Sequence, residues 1–359
     1  MSRALLISTN GTGLGHLTRS MAIARRMTDV EPLLLTMSQA FGAARKQGFY
    51  CEYFPSQTAG GPGGPVQWED RLQRRLEELL DVYRPSVVVF DGVSPYWGLL
   101  GALSGSAISS VWCRRPLWRE GFGARKLAIG TAFGAVLEPG ELAAEEDRGA
   151  TVPRRDEAIR VDPILFLDRE ELLPHDQAAT ELGLDPARPA ALVHLGAGEA
   201  VEPVVRQSVE RLLREDLQVA VLASALSPGM RLPQGVHVLE ATYPISRFYP
   251  AFDMAVSAAG YNAFHELFQA EVPALWVPMP RETDDQAARG RFAARAGTGL
   301  CFDASGHDLE EGGLTDSLDR LLDPGERSAM RDRLAAVDIR NGAADAAAAI
   351  TAMTLRETR

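Results

Sequence analysis

Lysine is nearly absent from this 359-residue chain: Lys46 and Lys126 are the only two, and arginine supplies the rest of its 37 basic residues. That reads as a bias towards GC-rich codons and not as chemistry. Against 48 acidic residues the formal net charge is −11. An acidic balance excludes a protein that coats DNA or RNA, because such a role needs a cationic surface to displace counterions. It leaves room for a local basic patch. Cysteine is scarce as well. Cys51, Cys113 and Cys301 stand far apart, with no CxxC and no Cys/His cluster, so neither a zinc site nor a disulfide framework is indicated. A reducing cytoplasm is the expected setting. Long apolar runs are missing too: no stretch reaches the ~18 residues of a membrane-spanning helix. Met1-Ser2-Arg3 passes directly into Ala4-Leu5-Leu6-Ile7, which reads as a first buried strand and lacks the layout of a signal peptide. What the chain does have is 46% hydrophobic and 24% charged residues, a globular composition, over a length that favours two domains of about 100–200 residues each.

Short apolar runs alternate with helical patterns. Residues 3–8, 32–36, 86–90 and 107–112 read as strands, and 17–28 and 69–82 as helices. The series restarts at 190–195 and continues with strands at 217–223, 236–239, 254–257 and 274–277. Continuous apolar runs such as Val87-Val88-Val89-Phe90 suit parallel strands buried on both faces, with helices as crossovers. The expected architecture is therefore α/β, with two Rossmann-like, doubly wound parallel-sheet domains facing a cleft. The polar, proline-bearing stretch 150–190 separates them, with the hinge expected at Asp162–Pro163. Ligands are expected at the carboxyl ends of the strands. The Gly/Pro segment 55–65 excludes helix and strand alike. It reads either as a surface loop or as a flap over the cleft.

After the first strand comes Thr9-Asn10-Gly11-Thr12-Gly13-Leu14-Gly15-His16, then a helix. Such a loop presents backbone N–H groups to an anion or a reacting oxygen. It has no Walker lysine. It also lacks the GxGxxG spacing, and the second strand ends in Thr36-Met37-Ser38 with no acidic residue, which disfavours NAD. His16 at the helix start is either a general base, kept neutral by the helix dipole, or a histidine that caps locally. Asp91 directly follows the strand at 87–90. It can orient His16 and stabilise its imidazolium, or it can cap the helix after Asp91-Gly92-Val93-Ser94.

The strongest signal lies at 257–286: Ser257-Ala258-Ala259-Gly260-Tyr261-Asn262-Ala263-Phe264-His265-Glu266, then Asp284-Asp285-Gln286. A strand ends at Ser257 and a helix starts near Gly260, so small residues let backbone amides approach a diphosphate. Glu266 lies about two turns into that helix, on the face of Asn262, where a carboxylate can accept both hydroxyls of a ribose. Asp285 and Gln286 open the next helix and can bind sugar hydroxyls. Gly196-Ala197-Gly198 makes a second phosphate-facing turn. His265 points to another face and reads as structural. The amphipathic stretch 203–215 reads as core.

This constellation resembles the donor-sugar signature of GT-B glycosyltransferases. Gly260, Tyr261, Asn262 and Glu266 match the plant-type core G-W-N-S-x-x-E in register, with Ala263 in place of Ser. The interval of 20 residues from Glu266 to Gln286 looks more like the bacterial peptidoglycan N-acetylglucosaminyltransferases of family 28, whose first loop Gly-Thr-Gly-Leu-Gly-His is also similar. The resemblance implies a GT-B fold: an acceptor-binding domain at 1–162, a nucleotide-sugar-binding domain at 163–341, and a C-terminal helix at 342–359 that packs back towards the first. It implies that Glu266 holds the ribose and Thr242 the uracil through its backbone. Gly196–Gly198 and Ser257–Gly260 would hold the diphosphate, Asp285 and Gln286 the transferred sugar, and Gly13 would also belong to the donor site. His16 and Asp91 match the catalytic base and its partner in plant-type members. Ala258 stands where those members carry a diphosphate-binding histidine, which leaves more of the leaving-group stabilisation to helix amides.

In the acceptor half, Arg114-Arg115-Pro116-Leu117-Trp118-Arg119 is a basic, aromatic stretch. It reads as a solvated face, or as a patch for an anionic acceptor or an anionic membrane lipid. The function expected is an inverting, metal-independent transfer from a UDP-linked sugar to a hydroxyl on a small-molecule or lipid-linked acceptor. No metal or cofactor is expected beyond the nucleotide sugar as co-substrate, no nucleic acid, and at most a peripheral membrane contact. Gly13-Leu14-Gly15-His16-Leu17-Thr18-Arg19 also resembles the GxGHxxR loop of nucleotide-sugar hydrolases of the same fold, in which water replaces the acceptor. A silent nucleotide-sugar-binding protein is the third alternative.

Overall fold

A computed structural model describes residues 2–9, 14–59, 64–196, 201–222, 231–239, 242–303 and 313–354. By its internal packing the chain divides into two compact units, residues up to Phe166 together with those from Arg340 on, and Leu167–Ile339.

The first unit is built on seven strands: β1 (Ser2–Ser8), β2 (Val30–Thr36), β3 (Cys51–Tyr53), β4 (Val87–Asp91), β5 (Ser109–Cys113), β6 (Ala135–Pro139) and β7 (Ala158–Val161). Their order is β3-β2-β1-β4-β5-β6-β7, and every neighbouring pair is parallel. Parallel neighbours need crossovers. These are supplied by α1 (Gly15–Ala24), α2 (Gly42–Lys46), α3 (Pro65–Tyr83), α4 (Trp97–Leu103) and α5 (Ala124–Ile129). All of β4 is buried, which explains its unbroken apolar run. On α3, Trp68, Leu72, Leu76 and Leu79 recur at helical spacing and are buried against Leu5, Ile7, Val88, Phe90 and Trp112. Each such side chain contributes about 1.5–3 kcal/mol on burial. The helix starts at Pro65, where the Gln67 side chain accepts the Gly64 N–H at 2.9 Å.

The boundary between the units, at Phe166/Leu167, falls within the stretch 150–190, but that stretch also holds β7, which was not expected there. Its residues Ala-Ile-Arg-Val are half-exposed at the sheet edge, so no apolar run marks it. The segment expected to be a hinge is held inside this unit. Gly342 N–H donates to the Pro163 carbonyl at 2.9 Å, and Asn341 brackets Leu165 through both its amide oxygen and its amide nitrogen. A Cβ on Gly342 would sit 2.1 Å from the Asp162 carbonyl oxygen, so only glycine fits there.

The second unit has six strands: β8 (Ala190–His194), β9 (Gln218–Leu222), β10 (Val236–Leu239), β11 (Met254–Ser257), β12 (Ala274–Trp276) and β13 (Gly299–Cys301). They run in the order β10-β9-β8-β11-β12-β13, again all parallel. Its helices are α6 (His175–Glu181), α7 (Glu202–Leu212), α8 (Tyr261–Gln269), α9 (Gln286–Ala296), α10 (Gly313–Leu322) and α11 (Pro324–Ala335). Val204, Val205, Val209 and Leu212 of α7 join the core, as their spacing implies. The last helix, α12 (Ala343–Thr354), returns to the first unit and packs on α1. Among the described residues no helix is long and apolar enough to cross a membrane.

In each sheet the winding reverses beside the first strand of the unit: between β1 and β4, and between β8 and β11. Ligands of open α/β sheets bind outside the carboxyl ends of strands at such switch points.

Candidate active site

At the β1/β4 switch point, parallel register sets Ser8 beside Asp91, and Asp91 beside Cys113. Asp91 is the last residue of β4, and α4 begins only at Trp97. The carboxylate therefore does not cap that helix. Instead its Oδ1 lies 2.5 Å from His16 Nδ1. Two atoms that both offer lone pairs do not approach so closely without a proton between them, so Nδ1 carries the proton and donates it. Nε2 is left as the acceptor nitrogen, and it makes no hydrogen bond among the described residues.

Arg19, one turn along α1, completes the cluster. Its Nε donates to Asp91 Oδ2 at 3.0 Å and its Nη2 to Oδ1 at 2.6 Å. Asp91 is 1% exposed, Arg19 2% and His16 9%. Burial alone would raise the Asp91 pKa, but Arg19 and then His16 overcome it and hold the carboxyl at about 2. His16 is pushed below the ordinary imidazole value, first by burial; Asp91 opposes this, while Arg19 and Arg115 add to it. The group at this switch point is thus a neutral imidazole backed by an ionised carboxylate. The sequence indicated His16 and Asp91; Arg19 entered there only as the end of a motif. Its signal was the one charged residue in the Leu17–Ala24 run, all of which is buried.

The basic, aromatic stretch is corrected. Arg114 is 1% exposed and Trp118 4%, so neither belongs to a solvated face or to an anion patch. Arg114 continues β5 inward, where its Nη2 donates to Glu138 Oε2 at 3.0 Å and to the Arg154 carbonyl at 3.2 Å. Trp118 packs edge-on to Trp112. Asp147 fixes the turn between them by accepting the Leu117 N–H at 2.9 Å. Arg115 is half-buried and acts on His16. Arg119 is exposed, with its guanidinium over the Phe122 ring.

At the β8/β11 switch point, Ser257 ends β11 opposite His194. Its hydroxyl donates to the His194 carbonyl at 3.2 Å and is thereby tied to the sheet. Gly196 takes a positive φ of 80°, a conformation that favours glycine. Gly13, Ala197 and Gly198 lie outside the described residues. Gly260 caps α8 in extended conformation and no side chain caps the helix. A Cβ there would meet nothing closer than Gln286 Nε2 at 3.8 Å. The helix start carries the partly positive end of the α8 dipole, which suits an anion.

Glu266 is 8% exposed and burial pushes its carboxyl up to about 8. Its carboxyl makes no hydrogen bond or ion pair among the described residues. A buried carboxyl without donors costs stability, and a vicinal diol would supply two. Nearby, the Tyr249 hydroxyl in the 3-10 turn Ile245–Ala251 is sealed from solvent without a partner. Sequence reasoning did not single it out. Thr242 is half-buried ahead of that turn, and Asn262 is half-buried at the start of α8.

Other expected donor residues are engaged within the unit. The Tyr261 ring is buried against His265 and the Arg289 guanidinium, so only its backbone stands at the helix start. Gln286 Oε1 accepts the Met279 N–H at 2.9 Å, and its Nε2 donates to Asp284. Asp285 caps α9 by accepting the Ala288 N–H at 3.0 Å. Arg289, also missed, is fully buried and donates to both Asp284 Oδ1 and the Ala259 carbonyl. It ties the loop before α8 to the loop before α9. Four arginines in and near α9 gave no sign of which one turns inward. His265 donates Nδ1–H to the Tyr261 carbonyl at 2.7 Å and is structural.

No protein-family profile matches the chain. Among curated proteins, it is 30% identical over 222 residues to the UDP-N-acetylglucosamine--N-acetylmuramyl-(pentapeptide) pyrophosphoryl-undecaprenol N-acetylglucosamine transferase of Clavibacter sepedonicus, a match covering 60% of this chain and 57% of that one. It is 28% identical to the transferase of the same name from Frankia casuarinae, over 98% of this chain and 95% of the other. The chain thus matches little more than half the length of the first relative and nearly all of the second. The crystal structure of Acinetobacter baumannii MurG superposes with a TM-score of 0.63 at 15% identity, covering 98% of this chain and all of that one. The fold is GT-B, and the likeness to family 28 extends over both units.

Proposed function

We propose that this protein is a glycosyltransferase that moves a sugar from a nucleotide donor, UDP-linked, to an acceptor hydroxyl, with inversion and without a metal ion. The observation that carries this reading is the His16–Asp91 pair at a carboxyl-edge switch point. The buried carboxyl of Glu266, on α8, supports it from the second unit. The acceptor O–H bond breaks as its proton passes to His16 Nε2, and the oxygen's electron pair forms the bond to the anomeric carbon. The bond from that carbon to the diphosphate oxygen breaks, and the nucleoside diphosphate leaves with the pair. Backbone N–H groups at the start of α8 receive its charge, and no DxD motif is present to recruit a divalent ion. Glu266 accepts the two ribose hydroxyls, and Thr242 meets the base. The names of the relatives direct the first trials to UDP-N-acetylglucosamine and to a lipid pyrophosphate-linked sugar.

Arg19 favours one second reading. It completes the GxGHxxR pattern within the base cluster, as in hydrolases of this fold. Release of UDP, measured with and without the lipid-linked acceptor, separates the two. Acceptor-dependent release is the expected result; equal release in water alone would make the protein a hydrolase.

A further inference from the structure

We propose that Arg19 is a positioning residue that holds His16 in its neutral, proton-accepting form by occupying both oxygens of Asp91, so that the base stays competent in acidic solution. This rests on His16 being the base of the reaction proposed above.

A histidine backed by a lone carboxylate becomes a better proton acceptor, because the carboxylate stabilises the imidazolium. Here the carboxylate is shared. Oδ1 accepts His16 Nδ1–H at 2.5 Å and Arg19 Nη2–H at 2.6 Å, and Oδ2 accepts Arg19 Nε–H at 3.0 Å. A guanidinium does not lose its proton in proteins, so Asp91 and Arg19 together are neutral. Protonating His16 would then place a net positive charge in a buried site, with Arg19 Nη2 only 2.9 Å from Nδ1. The other groups around His16 do not reverse this. Arg115 lies just past β5 and adds positive charge. Cys113 at the end of β5 touches the Asp91–Arg19 pair, and burial keeps it a neutral thiol. Ser8 of β1 and Thr36 of β2 bond each other at 2.8 Å. The buried residues of α12 are Ala343, Ala346, Ala347, Ile350 and Thr354, and its Asp345 is exposed. During transfer the proton of the acceptor oxygen goes to Nε2, while Nδ1–H remains on Asp91. Arg19 limits how long that imidazolium persists and favours its return to neutral imidazole.

The test is an NMR titration of the intact chain labelled with 15N-histidine, with the His16 signals assigned by their loss in His16→Gln. The wild-type midpoint is expected below the ordinary value of about 6.5. Arg19→Gln and Arg19→Met each remove the charge, and whichever folds carries the test. The midpoint should rise by about one pH unit or more, and the acid limb of kcat/KM should rise with it. Arg19→Lys, which keeps a cation, should hold the midpoint low. A wild-type midpoint at or above 6.5, or one that does not move in a folded neutral variant, would overturn the role of Arg19 whatever the reaction. A raised midpoint in a protein without transferase activity would remove the transferase reading and leave the charge relationship standing.

Discussion

His16 Nδ1 and Asp91 Oδ1, 75 residues apart in the chain, lie 2.5 Å apart at the carboxyl edge of the first sheet. β1 and β4 are parallel neighbours, and the start of α1, which follows one, meets the residue that ends the other. His16→Ala should lower turnover by about 10²–10⁴-fold. Nucleotide affinity, measured by calorimetry, should stay nearly unchanged, because Glu266 and α8 belong to the other unit. A variant with full activity would mean that another group takes the proton.

Asp91→Asn should act on stability as well as on rate. It leaves the buried Arg19 guanidinium without its counter-charge, and breaking one side of a buried pair costs about 3–5 kcal/mol. Thermal and denaturant unfolding should show a loss on that scale. A melting temperature equal to wild type would mean that Arg19 finds another anion.

Glu266 ties nucleotide binding to pH. The free carboxyl is held protonated up to about 8, whereas accepting two hydroxyls requires the carboxylate. Nucleotide affinity should therefore increase as pH rises towards about 8 and then level off, with proton release on binding that calorimetry in buffers of different ionisation enthalpy detects. Glu266→Gln should abolish that release and weaken binding by about 1–3 kcal/mol. The same group affects folding. Its folded pKa is raised, so the folded chain keeps a proton that the unfolded chain has lost. Stability from this group is full below the ordinary carboxyl range and falls as pH rises to about 8. Glu266→Gln should flatten that decline.

Arg114 and Arg119 should separate cleanly. Arg114→Ala takes from the buried Glu138 the closer of its two arginine partners, leaving Arg155 Nε at 3.6 Å, and should destabilise towards the lower end of about 3–5 kcal/mol. Arg119→Ala, at an exposed position, should stay within about 0.5 kcal/mol in unfolding experiments. Equal, small effects would return Arg114 to the surface.

The difference between those two arginines shows where sequence reading stops. Val87–Phe90 announced a doubly covered parallel strand, and the carboxyl-end position of Asp91 followed from it. Likewise Gly260 to Glu266 fixed a helix start and a carboxylate on it. β3, β7 and β13 carry only three or four residues each, too few for a period to show, and the half-exposed β7 has no apolar run. Arg114 and Trp118 look like surface residues because nothing local reveals Glu138, 24 positions on, as a buried partner. The inward turns of Arg19 and Arg289 likewise depend on partners brought in by the sheet. Gln286 shows the same limit from the other side: its place opening α9 was legible, its bonds to Met279 and Asp284 were not.

The most direct measurement is a proton NMR time course of the purified chain with UDP-N-acetylglucosamine and a lipid pyrophosphate-linked acceptor sugar, with no divalent ion added and a chelator present. Attack assisted by His16 opposite the departing diphosphate should convert the α-linked donor into a β-linked product, whose anomeric proton is read from its coupling, with UDP appearing at the same rate and only when acceptor is present. An α-linked product, or dependence on added metal, would contradict the displacement described here.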